Sequence, residues 1–94
     1  NCFAGDGTNW RSRMFSPAYG VVEDAATGSA AGPLALHLAR HGLVPYGQQI
    51  EIMQGVEMGR PSKMLSVAKG SDTQLETIEV SGDAIVVIRG KIYV

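Results

Sequence analysis

Residues 23–32 read Glu23-Asp24-Ala25-Ala26-Thr27-Gly28-Ser29-Ala30-Ala31-Gly32: an acidic pair, a small Thr-Gly-Ser turn, then the start of an apolar run. From about Thr27 to His41 the pattern is helical. Thr27 is placed to be the N-cap, Pro33 lies near the first turn where a missing N–H costs least, and Gly42 is a good C′ stop. A loop feeding a helix this way points several backbone N–H groups at one spot, because the first four helical amides have no intrahelical acceptor. The helix dipole favours an anion at the same spot. Gly28 lets the backbone approach a ligand closely, and Ser29 adds a hydroxyl that donates or accepts. Asp24 beside such a carboxylate or phosphate cradle makes a candidate substrate site.

The helix has unusual neighbours to satisfy. Ala30, Ala31, Leu34, Ala35, Leu36, Leu38 and Ala39 surround its axis and leave no broad polar face before Arg40. A helix apolar all round in a globular protein is a buried helix, so something must wrap it. The remaining sequence supplies strands. Ser12–Ser16 alternates, with Arg13 and Phe15 on one face and Met14 on the other. Gln48–Gln54 sets Ile50 and Ile52 against Glu51 and Met53, and Lys63–Ala68 alternates as well. Gln74–Val80 and Ala84–Val94 follow, with Gly70-Ser71-Asp72 and Ser81-Gly82-Asp83 as turns. Strands of this length between Gly/Ser/Asp turns predict an antiparallel meander. Residues 1–10 read as a turn-rich lead, 17–24 as a loop, and Gly55–Pro61 as a bulge or kink between two strands. The fold class is α+β: an antiparallel sheet, or partial barrel, wrapped around one central helix.

Size and charge narrow the functions. With 94 residues there is room for one domain. The chain is 45% hydrophobic, with eight basic against nine acidic residues and a net charge of −1, and its mean hydropathy is near zero. No Lys/Arg cluster exceeds two neighbours, which argues against nucleic acid and against an anionic membrane surface as partners. No apolar run approaches a membrane span and no signal peptide is visible. The single cysteine, Cys2, cannot form an internal disulfide, which fits a reducing cytoplasm, the setting expected here, and also an uncomplicated periplasmic domain. The first residue is Asn, which is read as a fragment of a longer chain.

Three motifs in one order carry a family resemblance: Arg13-Met14-Phe15-Ser16-Pro17 followed by Gly20, then Glu23 to Gly32, then Gln54-Gly55-Val56-Glu57-Met58-Gly59-Arg60-Pro61-Ser62. Together they resemble the phenazine-biosynthesis isomerase-like (PhzF-like) family, over roughly residues 11–94. Where the family usually carries proline within E-D-P-A-T-G-S, this chain has Ala25-Ala26, a change in loop stiffness more than in chemistry. The resemblance implies a diaminopimelate-epimerase-like fold of two similar domains, each a sheet around a central helix, with the active site between them. On that basis residues 1–94 are a partial C-terminal domain and the N-terminal domain is absent. It further implies cofactor-free isomerisation, in which a glutamate acting as acid/base moves a proton between carbons of a small unsaturated amino acid. That glutamate belongs to the first domain, and no segment here matches its motif. A helix N-terminus supplies about 0.3–1 kcal/mol, against roughly 8 kcal/mol or more for enzymatic rate enhancement. The cradle alone is therefore not an isomerase.

Within the resemblance, Asp24 matches an active-site aspartate that hydrogen-bonds a substrate amino or hydroxyl group, and Ser29 is the second catalytic candidate. Thr27, Gly28 and Ser29 are the candidates for binding the substrate carboxylate, with Thr27 first of all a cap. Glu23 reads as a structural neighbour. His37 and His41, four apart on one helical face, could hold a metal in principle, but no third ligand stands at motif spacing. Arg60 could reach the cleft or neutralise an acid but reads first as half of a buried structural pair at the bulge, and Met14, Met53, Met58 and Met64 read as core filler. Trp10 and Cys2 receive no role. Two functions follow: the C-terminal part of an isomerase acting on a small carboxylated substrate, or a non-catalytic domain retaining ligand binding or an assembly role. Too few strands are present to close around the helix, so a homodimer or a complex with the missing N-terminal domain is expected.

Overall fold

A computed structural model describes residues 1–94. Six strands and one helix succeed one another: β1 (Cys2–Asp6), β2 (Asn9–Ser16), β3 (Val21–Asp24), α1 (Gly28–Arg40), β4 (Ile50–Gln54), β5 (Ser62–Gly70) and β6 (Leu75–Gly82). A single 3-10 turn, Pro17–Tyr19, precedes β3. The strands form one open sheet in the order β1-β2-β4-β5-β6, with β3 paired to β2 off that line. No helix is long and apolar enough to cross a membrane.

The core follows from two periodicities meeting. On α1, the buried residues Ala31, Leu34, Ala35, Leu38 and Ala39 recur at the spacing of one helical stripe. On β4, alternation turns Ile50, Ile52 and Gln54 inward, and on β5 it turns Met64, Ser66 and Ala68 inward. The strands pair in register Ile50↔Ser66 and Ile52↔Met64. Trp10 and Val44 complete the cluster. Each fully buried leucine or isoleucine contributes about 1.5–3 kcal/mol. Gly32 lets α1 lie close over β6, since a Cβ there would fall 2.8 Å from Ile78 Cγ2.

The ends of α1 agree with the sequence reading. Thr27 is the N-cap residue and His41 the C-cap. Gly42, at φ +71°, closes the helix with Leu43 N–H donating to Leu38 O and Gly42 N–H to Ala39 O. That pair of bonds is the Schellman pattern, which needs a residue of positive φ at C′. Pro33 sits deeper than expected, at the sixth helical position, where it removes the donor that Ser29 O would otherwise receive.

Several expectations are corrected. The sheet is mixed, because β2 and β4 pair in parallel over Asn9↔Glu51 to Ser12↔Gln54. The connection between them carries α1, and a helical crossover returns the chain in the direction it left. The helix is covered on one side only: Pro33, His37 and Arg40 are exposed and Leu36 is half-buried. Residues 84–94 form no strand, and Ile85, Ile88, Ile92 and Tyr93 stand almost fully exposed. A run apolar on both faces needs cover on both faces, and this chain supplies neither. The first ten residues hold a hairpin, β1 against β2, turning at Gly7-Thr8 with Gly7 at φ +57°. Part of the expected 17–24 loop is β3, and Gly55–Pro61 is the hairpin turn between β4 and β5 instead of a bulge.

Candidate functional site

The loop from Glu23 to Ser29 lies where three elements end. β3 leaves the sheet after pairing Asp24 with Met14, β4 ends at Gln54, and α1 begins at Gly28. Gly55, at φ +81°, packs directly under the loop. A Cβ at this glycine would fall 2.8 Å from Ala25 O and would collide with Arg60 O. Only glycine fits there on both counts, so the β4–β5 turn and the loop form one unit.

Asp24 and Thr27 are brought together. Thr27 Oγ1–H donates to Asp24 Oδ2 at 2.6 Å. Gln54 Nε2 donates to Asp24 O at 2.9 Å and to Thr27 Oγ1 at 2.9 Å. Ser12 Oγ–H in turn donates to Gln54 Oε1 at 3.3 Å. Gln54 is only 1% exposed and Ser12 4%. A buried amide is costly unless hydrogen-bonded, and Gln54 satisfies that requirement with three partners.

Thr27 caps the helix with its carbonyl, which receives Ala30 N–H and Ala31 N–H at 3.1 Å each. Its hydroxyl makes no cap bond. The amides of Gly28 and Ser29 precede the first helical acceptor and point past the end of α1. Both residues are exposed. Beside the loop opens a concavity of about 580 Å³ whose walls include Ala26, Pro61, Lys63, Gly82 and Asp83. Asp24, Gly28 and Ser29 are not among its walls; at the loop itself stand two amides with no acceptor, the hydroxyl of exposed Ser29, and an Asp24 oxygen, Oδ1, with no partner in the chain.

Glu23 faces the other way. Arg13 grips it bidentately, Nε to Oε1 at 2.9 Å and Nη2 to Oε2 at 3.1 Å. These hydrogen bonds hold the Glu23 carboxyl below its ordinary value, against a smaller opposing effect of burial. Arg13 is raised by the same bonds. Its guanidinium also lies 5.0 Å from the centre of the Phe15 ring, and Arg11 pairs with Glu57 at 2.9 Å. This charged row fixes the outer face of β2 and leaves Glu23 a structural neighbour.

Other candidates fall away from the loop. The rings of His37 and His41 lie 4.2 Å apart on α1, and His41 Nδ1–H donates to His37 O at 2.9 Å. No group of three or more His, Cys, Asp or Glu side chains stands together. Arg60 is exposed and makes no ion pair, so the expected buried pair does not form. Met64 is a core residue, Met14 and Met53 are half-buried, and Met58 is exposed at the β4–β5 turn. Trp10 belongs to the core, its Nε1–H donating to Gly7 O at 2.9 Å. Sequence reasoning passed over Gln54 and Ser12 as site residues. The signal was present: Gln54 continues the inward phase of Ile50 and Ile52, and a polar side chain in that phase needs polar partners.

The chain matches the family described as "Phenazine biosynthesis-like protein" over residues 1–90. It is 67% identical over 93 residues to "Trans-2,3-dihydro-3-hydroxyanthranilate isomerase" of Pseudomonas aeruginosa, covering 99% of this chain and 34% of that protein. The protein of the same name from Pseudomonas chlororaphis is 70% identical over 92 residues, covering 98% of this chain and 33% of that one. "Uncharacterized isomerase YddE" of Salmonella typhimurium is 37% identical over 82 residues, 84% of this chain and 28% of that protein. The chain thus spans about a third of the length of the curated relatives it matches.

Proposed function

The chain belongs to the phenazine biosynthesis-like family, and from that premise we propose that it is the C-terminal part of a cofactor-independent isomerase. The reaction is acid/base transfer of a proton between carbons of a small, unsaturated, carboxylated substrate. Supporting this reading are relatives at 67–70% identity whose names specify an isomerase of trans-2,3-dihydro-3-hydroxyanthranilate. The observation that carries it is local: Asp24, its Oδ2 tied to Thr27, stands five residues ahead of the free amide and hydroxyl of Ser29. The amides of Gly28 and Ser29, with the Ser29 hydroxyl, would take the substrate carboxylate. Asp24 would accept from the substrate's amino or hydroxyl group and so hold the ring for proton transfer. Thr27 contributes through Asp24, since its hydroxyl is already committed.

The proton-moving glutamate lies, on this reading, in an N-terminal domain outside these residues, and the site closes between the two. The larger fold is then diaminopimelate-epimerase-like, with the open sheet and one-sided helix as one half. The uncovered Ile85, Val87 and Ile88 and the exposed edge strand β6 favour a partner that covers them, the missing domain or a second copy. A non-catalytic domain with the same cradle is the alternative. The two separate on one experiment. Joined to a family N-terminal domain, the chain is expected to catalyse solvent deuterium incorporation into a dihydro-hydroxyanthranilate, and Asp24→Ala to abolish it. The 94 residues alone are expected to be inactive. No exchange by the joined protein would favour the non-catalytic reading, and full exchange by the chain alone would contradict the division of roles.

A further inference from the structure

Hydrogen-bond direction in the part-buried chain Ser12–Gln54–Thr27–Asp24 is fixed by one contact. A backbone carbonyl only accepts, so the group of Gln54 facing Asp24 O must be its NH₂. The second hydrogen of that NH₂ faces Thr27 Oγ1, which therefore accepts. Thr27's single hydroxyl hydrogen is left for Asp24 Oδ2. Gln54 Oε1, on the far side, receives Ser12 Oγ–H. Every donor points toward the carboxylate. Asp24 Oδ1 makes no bond within the chain and is the oxygen left for a ligand.

We propose that Gln54 is a positioning residue: it sets the hydroxyl of Thr27 and through it the plane of the Asp24 carboxylate, aiming Oδ1 at the donor group of a bound amino- or hydroxy-carboxylate. The ligand half of this statement rests on the reading of the loop as a substrate site. Burial makes the arrangement durable, because Gln54 cannot trade a partner for water at 1% exposure. Gly55 reinforces it by holding the backbone of Ala25 against the same turn. The carboxylate cradle at Gly28 and Ser29 does not touch this chain of bonds, so the two functions separate.

The test uses Gln54→Met, which keeps length and removes every hydrogen bond, and Thr27→Val, which removes only the hydroxyl. In the unaltered chain, three-bond couplings to the Thr27 methyl should report one χ1 rotamer, and Gln54→Met should average it. Anthranilate and benzoate then serve as probes with and without a donor beside the carboxylate. Gln54→Met should lower the anthranilate-to-benzoate affinity ratio about tenfold while leaving benzoate within about twofold. Thr27→Val should lower the ratio equally, and the double variant no further. Equal losses for both probes, additive effects, or an unchanged Thr27 rotamer in Gln54→Met would overturn the proposal. If Gln54→Met does not fold, an unchanged ratio in Thr27→Val overturns it. Failure of the unaltered chain to bind either probe would overturn the substrate-site reading and the ligand half with it, while the couplings still decide whether Gln54 sets Thr27.

Discussion

Beneath the loop of residues 23–29 the polar side chains of Ser12 and Gln54 are buried and hydrogen-bonded, whereas at residues 84–94 apolar side chains stand in solvent. Both inversions run against ordinary globular chemistry, and they differ in who resolves them. The loop is resolved internally, by Gln54, Ser12 and the glycine fit at Gly55. The last eleven residues are left unresolved by this chain. The hydrogen-bonded loop therefore needs nothing from outside, while the apolar segment does. The chain spans about a third of the length of the relatives it matches, and on the reading proposed above the cover for residues 84–94 comes from the rest of such a protein.

The largest way to break the contrast is at Gly55. Gly55→Ala forces positive φ on a residue with a Cβ and drives that Cβ into two backbone oxygens. A loss of about 3 kcal/mol or more is expected, measured by chemical denaturation, with the loop amides the first to lose hydrogen-exchange protection. A loss under about 1 kcal/mol would mean that the turn and the loop are not one unit. A second comparison sharpens it. Leu38→Ala, in the core, should cost about 2–5 kcal/mol, and Ile88→Ala in the chain alone less than about 0.5 kcal/mol. Equal costs would show that residues 84–94 are buried in solution, by a second copy or by the chain itself.

The smallest effect is electrostatic. Arg13 lowers the folded carboxyl of Glu23 relative to the unfolded value near 4.3. A depressed carboxyl stabilises the fold above the unfolded value and loses that contribution as pH falls through the lowered one. The advantage of the unaltered chain over Glu23→Gln should thus be present at pH 7 and shrink steadily below about pH 4.3. A pH-independent difference would show that the Arg13–Glu23 pair is not its source.

The sequence made some of this legible and concealed the rest for physical reasons. Thr27, Gly42 and the stripe of alanines and leucines marked the helix, because caps and period act locally. Alternation marked β2, β4, β5 and β6. Parallel pairing of β2 with β4 was hidden, since it depends on where α1 returns the chain and not on any residue within either strand. The exposure of residues 84–94 was hidden for a similar reason: strand-like composition states what a segment needs, not whether this chain provides it. Asp24 and Thr27 were visible through their motif. Gln54 was visible only as the third member of an inward phase, and its partners could be named only once β3 and β4 ended side by side.

One titration tests the central reading, that the start of α1 is a carboxylate site beside Asp24. Benzoate is added to the 15N-labelled chain while every backbone amide is followed, in the unaltered protein and in Ser29→Ala. Saturable shifts should appear first and largest at Gly28 and Ser29, and Ser29→Ala should weaken the affinity by about 0.5–1.5 kcal/mol, the net worth of one hydrogen bond. Shifts centred instead on Arg11 and Arg13, or the same affinity in both proteins, would contradict it.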